Sequence, residues 1–330
     1  MKKYLNIFAL TAGASLLGAV SVQAQLIAYD GFNYSSFDTT LAPNQTLNGG
    51  SGDWKFPWFD KSPGASQPGS QLIPGMSYST LPVVGNSIGQ VGNNGTTQLW
   101  RVLGSNLGYY GTHNGIEANT VWMSYMWASD NTGTLDPGGS GYNLFRQASL
   151  GFYSGGNAST TAGSEYLDIG MPNISAASAP TYTPNISLWY GGHGLAGQTG
   201  SSSAPNVQSS VAANNYNQNF ILIQMVLDGN NTTADTMNVW INPVLGVTPG
   251  TPDMSYALQN LSALDTFRFS ANGNNATFGG YGIQQTDELR IGETMDSVET
   301  MSVANIVPEP VSMVLLGFSS LSLLLFRRNK

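Results

Sequence analysis

Apolar residues come along this chain in short bursts, with one longer apolar run near each end. Stretches rich in glycine, asparagine, serine and proline separate the bursts. The bursts follow the alternating period of strands, and hardly any follows the period of a helix. Strands are predicted over 26–32, 98–103, 116–128, 144–153, 165–170, 186–190, 220–227, 235–242, 264–270, 276–281 and 288–292. The segment Val121-Trp122-Met123-Ser124-Tyr125-Met126-Trp127 is apolar on both faces, as a central strand covered from two sides must be. The most apolar run, 220–227, leads through Asp228-Gly229-Asn230-Asn231 into the alternating run 235–242, which predicts a hairpin. In its second strand Met237, Val239 and Ile241 share one face, and Thr236, Asn238 and Trp240 the other. The polar stretches 35–83, 154–163 and 191–219 are expected to be loops of one domain, because neither flank looks complete alone. Many short strands with long loops predict an all-β fold, a two-sheet sandwich. Its first and last strands are expected side by side, since such sandwiches bring their ends together.

The two framing runs carry an address. Lys2 and Lys3 precede an apolar run over 7–20, and Val22-Gln23-Ala24 then supplies a small-x-small cleavage pattern. This is a secretory signal peptide, expected to engage a secretion translocon and to be cut by signal peptidase after Ala24. A retained anchor is the alternative, but the run is short and no basic stop-transfer cluster follows. At the other end, 311–326 is apolar or small throughout, and Arg327, Arg328 and Lys330 follow it. Its 16 residues fall short of the roughly 20 of a stable span, which makes it a marginal anchor with its C-terminus inside. Pro308-Glu309-Pro310 stands directly before it. Two prolines cannot continue a helix, so they hold an extended segment at the membrane face, open to a protease.

That order of Pro-Glu-Pro, apolar segment and Arg-rich end resembles the PEP-CTERM sorting signal of Gram-negative bacteria. The resemblance implies processing by an exosortase, a membrane-embedded transpeptidase-like protease, in a host that makes extracellular polysaccharide. It also implies a transient inner-membrane anchor followed by a cell-surface or extracellular location. The chain then divides into a signal peptide (1–24), a β-sandwich domain (25–300), a linker (301–307) and the sorting signal (308–330). The sorting residues are Pro308, Glu309, Pro310, Arg327 and Arg328.

Composition narrows the partners. Charged residues make up 9% of the chain against about a quarter in ordinary domains, and the formal net charge is −8. Between the two end signals the basic residues are Lys55, Lys61, Arg101, Arg146, Arg268 and Arg290 alone. Nucleic acid is excluded as a partner, because phosphate contacts need a basic surface. With 0 cysteines there are no disulfides and no thiolate metal sites, so stability must come from burial. The 2 histidines leave little room for a histidine-based metal site.

A second likeness covers most of the domain. Tyr29-Asp30-Gly31-Phe32 is followed by Leu47-Asn48-Gly49-Gly50, then Trp54 and Trp58. The late hairpin ends Trp240-Ile241-Asn242-Pro243, and the last strand reads Asp287-Glu288-Leu289-Arg290-Ile291-Gly292. These patterns resemble concanavalin A-like (LamG-type) jelly rolls, although the Trp usual soon after the last glycine is replaced by Met295. The resemblance implies a jelly-roll sandwich, and its motifs are structural.

Candidate chemistry is sparse. Glycoside hydrolases of this fold place two carboxylates on one strand face, flanking a single bond. The nearest pairs are Glu165 with Asp168, Asp287 with Glu288, and Glu288 with Glu293, and in regular strands each pair points to opposite faces. His113 and His193 stand among glycines without the surroundings of a nucleophile elbow. Asp228, Asn230, Asn231 and Asp235 offer oxygen atoms that suit calcium, and equally suit an ordinary hairpin turn. Otherwise no cofactor is expected. Trp240 with Asn238 on one strand face is the best candidate for a glycan contact, the alternative being an indole covered by a long loop. The expected function is non-catalytic association of a surface or matrix protein with extracellular polysaccharide. The alternatives are a divergent glycoside hydrolase and a structural protein without glycan specificity.

Overall fold

The computed structural model describes residues 25–34, 46–47, 50–60, 70–92, 96–113, 117, 119–129, 147–155, 165–172, 185–190, 205–213, 217–228, 234–259, 261–274 and 280–299. The signal peptide and the tail, with Pro308, Glu309, Pro310, Arg327 and Arg328, lie outside the described residues. Among the described residues no helix is long and apolar enough to cross a membrane.

The described chain is all-β, built as two antiparallel sheets in a jelly-roll-like sandwich with two short α-helices. Sheet I holds β1 (Leu26–Asp30), β3 (Ser51–Gly52), β5 (Ser70–Pro74), β6 (Asn86–Gly92), β8 (Thr120–Ala128), β13 (Asn219–Val226), β14 (Ala234–Ile241), β15 (Met254–Gln259) and β17 (Gly280–Gly292). Sheet II holds β2 (Thr46–Leu47), β4 (Trp58–Asp60), β7 (Thr96–Val102), β9 (Ala148–Ser154), β10 (Glu165–Met171), β11 (Asn185–Tyr190), β12 (Val207–Ala212) and β16 (Leu264–Asn274). The helices are α1 (Leu107–His113) and α2 (Met295–Glu299).

In sheet I the order runs β15-β14-β13-β8-β17. The far edge of the long β17 is shared by β6, with β5 beyond it, and by β1, with β3 beyond it. The first strand therefore does lie beside the last, with Leu26 opposite Gly292 and Asp30 opposite Leu289. Sheet II runs β12-β11-β10-β9-β16-β7-β4-β2. The tips of β16 and β17 pair at Gly273–Tyr281 and link the two layers.

Alternation along the strands builds the core. Met123, Tyr125 and Trp127 of β8, Ile221 and Ile223 of β13, and Met237 and Val239 of β14 face inward from sheet I. Leu150, Phe152, Leu167, Ile169, Phe267 and Phe269 meet them from sheet II. Strands β8 and β13 read as apolar on both faces because a second core lies on the outer side of sheet I. There Trp122, Met126, Phe220, Leu222 and Trp240 are covered by Met76 and Leu81 of the 75–85 loop and by Val298 of α2.

Five strands arise within stretches that the sequence pattern predicts as loop, β2, β3, β4 and β5 in 35–83 and β12 in 191–219, and β6 and β15 have no predicted counterpart. In β5 and β6 polar residues hide the alternation. Ser70, Ser87 and Gln90 are buried, and each is satisfied by a remote partner. Of the strand expected over 276–281 only 280 and 281 lie among the described residues, and they begin β17, which pairs with β8 as far as Gly292.

Candidate functional site

Among the motifs that carry the jelly-roll resemblance, Asp30 with Trp58 and Asp287 with Glu288 prove to be buried tethers. Asp30 accepts hydrogen bonds from the Trp58 indole at 2.7 Å, the Tyr34 hydroxyl at 2.6 Å and the Phe32 N–H at 2.9 Å, and it pairs with Arg101 at 2.5 Å. The Arg101 guanidinium lies 4.5 Å over the Trp54 ring. This hub joins β1 of sheet I to β4 and β7 of sheet II.

At the other end Asp287 and Glu288 overturn the alternation argument, which sets them on opposite faces. A bulge shifts the register of β17 between Asp287, opposite Met126, and Arg290, opposite Ser124. Glu288 sits in the left-handed region at φ 54°, a strained conformation for a non-glycine residue. The kink sends both carboxylates to the 75–85 loop. Asp287 accepts the Met76 N–H at 2.9 Å, and Glu288 accepts the Val84 N–H at 2.6 Å and Arg290 at 2.6 Å. Burial raises both carboxyls, and Asp287 is pushed up to about 8. Glu293 lies past the end of β17, half-buried. With their oxygens committed to backbone N–H groups and Arg290, Asp287 and Glu288 hold a loop on a sheet.

The remaining sequence candidates fall in separate places. Asp235 is buried and uses both oxygens on the chain, accepting the Asp228 N–H at 2.8 Å and the Ser262 N–H at 3.1 Å. That is the geometry of a hairpin tie, and Asn230 and Asn231 lie outside the described residues. His113 ends α1, exposed and stacked on Tyr109 at 4.1 Å, while His193 lies outside the described residues. Asn238 is held in a row on the outer side of sheet I, donating to Gln224 at 3.1 Å and accepting from Ser255 at 2.8 Å. Trp240 is 8% exposed, stacks on Trp122 at 5.9 Å and donates its indole N–H to the Gly250 carbonyl at 2.8 Å. Its ring is thus covered, with one edge on a small cavity of about 180 Å3 formed by the 243–250 loop. Trp240 and Asn238 share a face as alternation requires, but they do not form an open platform.

The outer face of sheet II gathers a different set of residues. Strand register places Phe59, Trp100, Arg268, Gly151, Asp168 and Trp189 in one row across six strands. A neighbouring row holds Gln98, Ser270, Ser149, Gly170 and Ser187. Gly151 creates the room at the centre. A Cβ there would stand 2.8 Å from Asp168 Oδ1 and 2.9 Å from the Tyr153 ring. The Arg268 guanidinium lies 4.4 Å over that ring, and Ser149 donates to Asp168 at 2.9 Å. Burial lowers Arg268 to about 10, so it stays cationic at neutral pH. Arg268, Tyr153, Asp168 and Trp189 are buried, while Phe59, Trp100, Gln98 and Gln147 are half-buried and form the accessible margin.

Trp100 stands out within this margin. Its ring packs on Phe59 at 5.5 Å, and its indole N–H is buried with no acceptor among the described residues. The indoles of Trp54, Trp58, Trp122, Trp127 and Trp240 each donate to a definite oxygen. An unmatched buried donor is uncommon and calls for an explanation. The sequence signal for this face was present. Thr266, Arg268 and Ser270 alternate with Phe267 and Phe269, and Gln98 and Trp100 alternate with Leu99. A register shift between Glu165 and Leu167 interrupts the pairing of β10 with β9.

No family model matches the chain, and no curated protein matches it. Among solved structures it is similar to domain 4 of the extracellular GH43 arabinanase AbnA from Geobacillus stearothermophilus, in complex with arabinotriose. The identity is 15%, covering 84% of this chain and 98% of that one, with a TM-score of 0.39. An endo-β-1,4-glucuronan lyase from the fungus Trichoderma reesei is 11% identical over 78% of this chain and 96% of its own, with a TM-score of 0.38. An alginate lyase from Chlorella virus is 11% identical over 66% and 90%, also at 0.38. The fold described above rests on strand register and not on these likenesses.

Proposed function

We propose that this is an exported surface or matrix protein whose concanavalin A-like sandwich holds extracellular polysaccharide without cleaving it. On this reading the signal peptide directs export, the PEP-CTERM tail anchors the chain until an exosortase processes it, and the sandwich makes the glycan contact. We place that contact on the outer face of sheet II, at the margin formed by Phe59, Gln98, Trp100 and Gln147. The observation that carries it is the half-buried Trp100 ring packed on Phe59 in a row of polar strand positions, its buried N–H having no acceptor among the described residues. A sugar brings a C–H face for the ring, and the half-buried Gln98 and Gln147 amides beside it can bond its hydroxyls. The six basic residues of the domain make a charge-driven site unlike this chain, so stacking and short polar groups dominate.

The test is a pull-down of the exported chain with the host's own extracellular polysaccharide, followed by Trp100→Ala. A modest hot spot is worth about 1–3 kcal/mol, so the variant should bind roughly tenfold more weakly with its fold intact. Unchanged binding removes the site from this face, and no binding by the parent chain removes the glycan reading. New reducing ends appearing in the bound polysaccharide would replace holding with cleavage.

A further inference from the structure

The most exposed large apolar side chains described are Val244 (73%) and Val247 (55%), and both project from one loop. This loop joins β14 to β15, and from Asn242 to Pro252 it carries no charged residue. It is held firmly. Gly246, at φ 73°, donates its N–H to Glu299 at 2.8 Å, and Gly250 accepts the Trp240 indole. The Pro243 carbonyl accepts the Tyr78 hydroxyl at 2.9 Å, and the Ile241 N–H reaches Asp253 at 2.7 Å. Leu245 turns inward onto the second core, which leaves Val244 and Val247 outside. A rigid loop that shows apolar side chains to water has a use for them.

Its position identifies the use. Glu299 is the last described residue before the tail, and it is bonded to the middle of this loop. The chain therefore leaves for its apolar segment 311–326 from directly beside Val244 and Val247. Extended, the segment 300–310 reaches at most roughly 40 Å, so an anchored tail keeps the loop close to the bilayer.

We infer that the 242–253 loop seats the anchored domain on the lipid surface, with Val244 and Val247 entering the headgroup–acyl boundary. This rests on the reading of the tail as a membrane anchor. Two valines alone would not hold a domain on a bilayer, but the tether makes the encounter intramolecular and raises the effective concentration of the loop at the surface. From Asn242 to Pro252 the loop is uncharged and the domain is acidic, so the contact is apolar and indifferent to salt. Seating fixes the height and orientation at which the 300–310 segment is offered for processing.

The chain contains 0 cysteines, so single labels can be placed cleanly. Residues 25–330 would be reconstituted in phosphatidylcholine vesicles with Val244→Cys, Val247→Cys or Val226→Cys, each carrying a nitroxide. Val226 is also exposed but lies at the far end of β13. The preference for a lipid-soluble over a water-soluble relaxant should rise severalfold at 244 and 247 relative to 226, and persist in high salt. Equal aqueous access at all three sites, in chains that float with the vesicles, overturns the seating and leaves the anchor reading intact. Chains that do not float overturn the anchor reading and the seating with it. Spin–spin coupling between two labels at 247 would assign the patch to a second copy and likewise overturn the proposal.

Discussion

Replacing Trp240 by alanine separates a covered indole from an open sugar platform. The ring is 8% exposed, packs on Trp122 in the second core and gives its N–H to Gly250. Truncating a buried tryptophan costs about 3–5 kcal/mol. One edge of this ring already faces a water-accessible cavity of about 180 Å3, and the freed Gly250 carbonyl can be hydrated, which puts the expected loss near the lower end. A loss of about 3 kcal/mol lowers the Tm of a domain this size by roughly 6–12 °C. Urea denaturation followed by tryptophan fluorescence, beside a calorimetric scan, measures both. Polysaccharide binding by the folded variant should stay within twofold of the parent. A large loss of binding with an unchanged Tm would refute this reasoning and return Trp240 to the role of a sugar platform.

Three further outcomes are expected. Arg101→Met leaves Asp30 buried without its cation and should destabilise the domain by about 3–5 kcal/mol in urea, and a change below about 1 kcal/mol would show that the hub is not held by the pair. Burial raises Asp287 from 3.8 to about 8, so the folded chain keeps a proton there that the unfolded chain has lost. Its contribution is complete below about pH 4 and fades as pH rises to 8, so stability measured against Asp287→Asn should decline across that window, and a rise would reverse the sign of the argument. In the producing cell Glu309→Ala should leave export intact but impair removal of the tail, so that the protein accumulates in the membrane fraction, and normal release would count against an exosortase route.

Much of the architecture was legible before any fold was in view, because side-chain alternation depends only on near neighbours. Met237, Val239 and Ile241 turn to the core, the two-faced apolar pattern of β8 marks a strand covered from both sides, and β1 lies beside β17. The same logic failed where backbone geometry departs from the regular strand. At Glu288 a bulge with positive φ sends adjacent carboxylates to one loop, and no pattern of residue types announces it. It failed also where polar residues are buried. Gln90 gives no strand signal in the sequence, and its partners Ser70 and Gln284 are brought to it by the fold, Gln284 from 194 positions away. Trp240 and Trp100 make the contrast plainest. Both sit on predicted strands beside a short amide-bearing residue, and local pattern ranks Trp240 as the better platform. The 75–85 and 243–250 loops close over the face of Trp240, with Tyr78 bonded to Pro243 across 165 positions, while Trp100 is left half-buried, its N–H without an acceptor among the described residues. Which face a side chain takes follows from its own strand, but whether that face meets solvent is set by segments far along the chain, and the candidate site depends on that second fact.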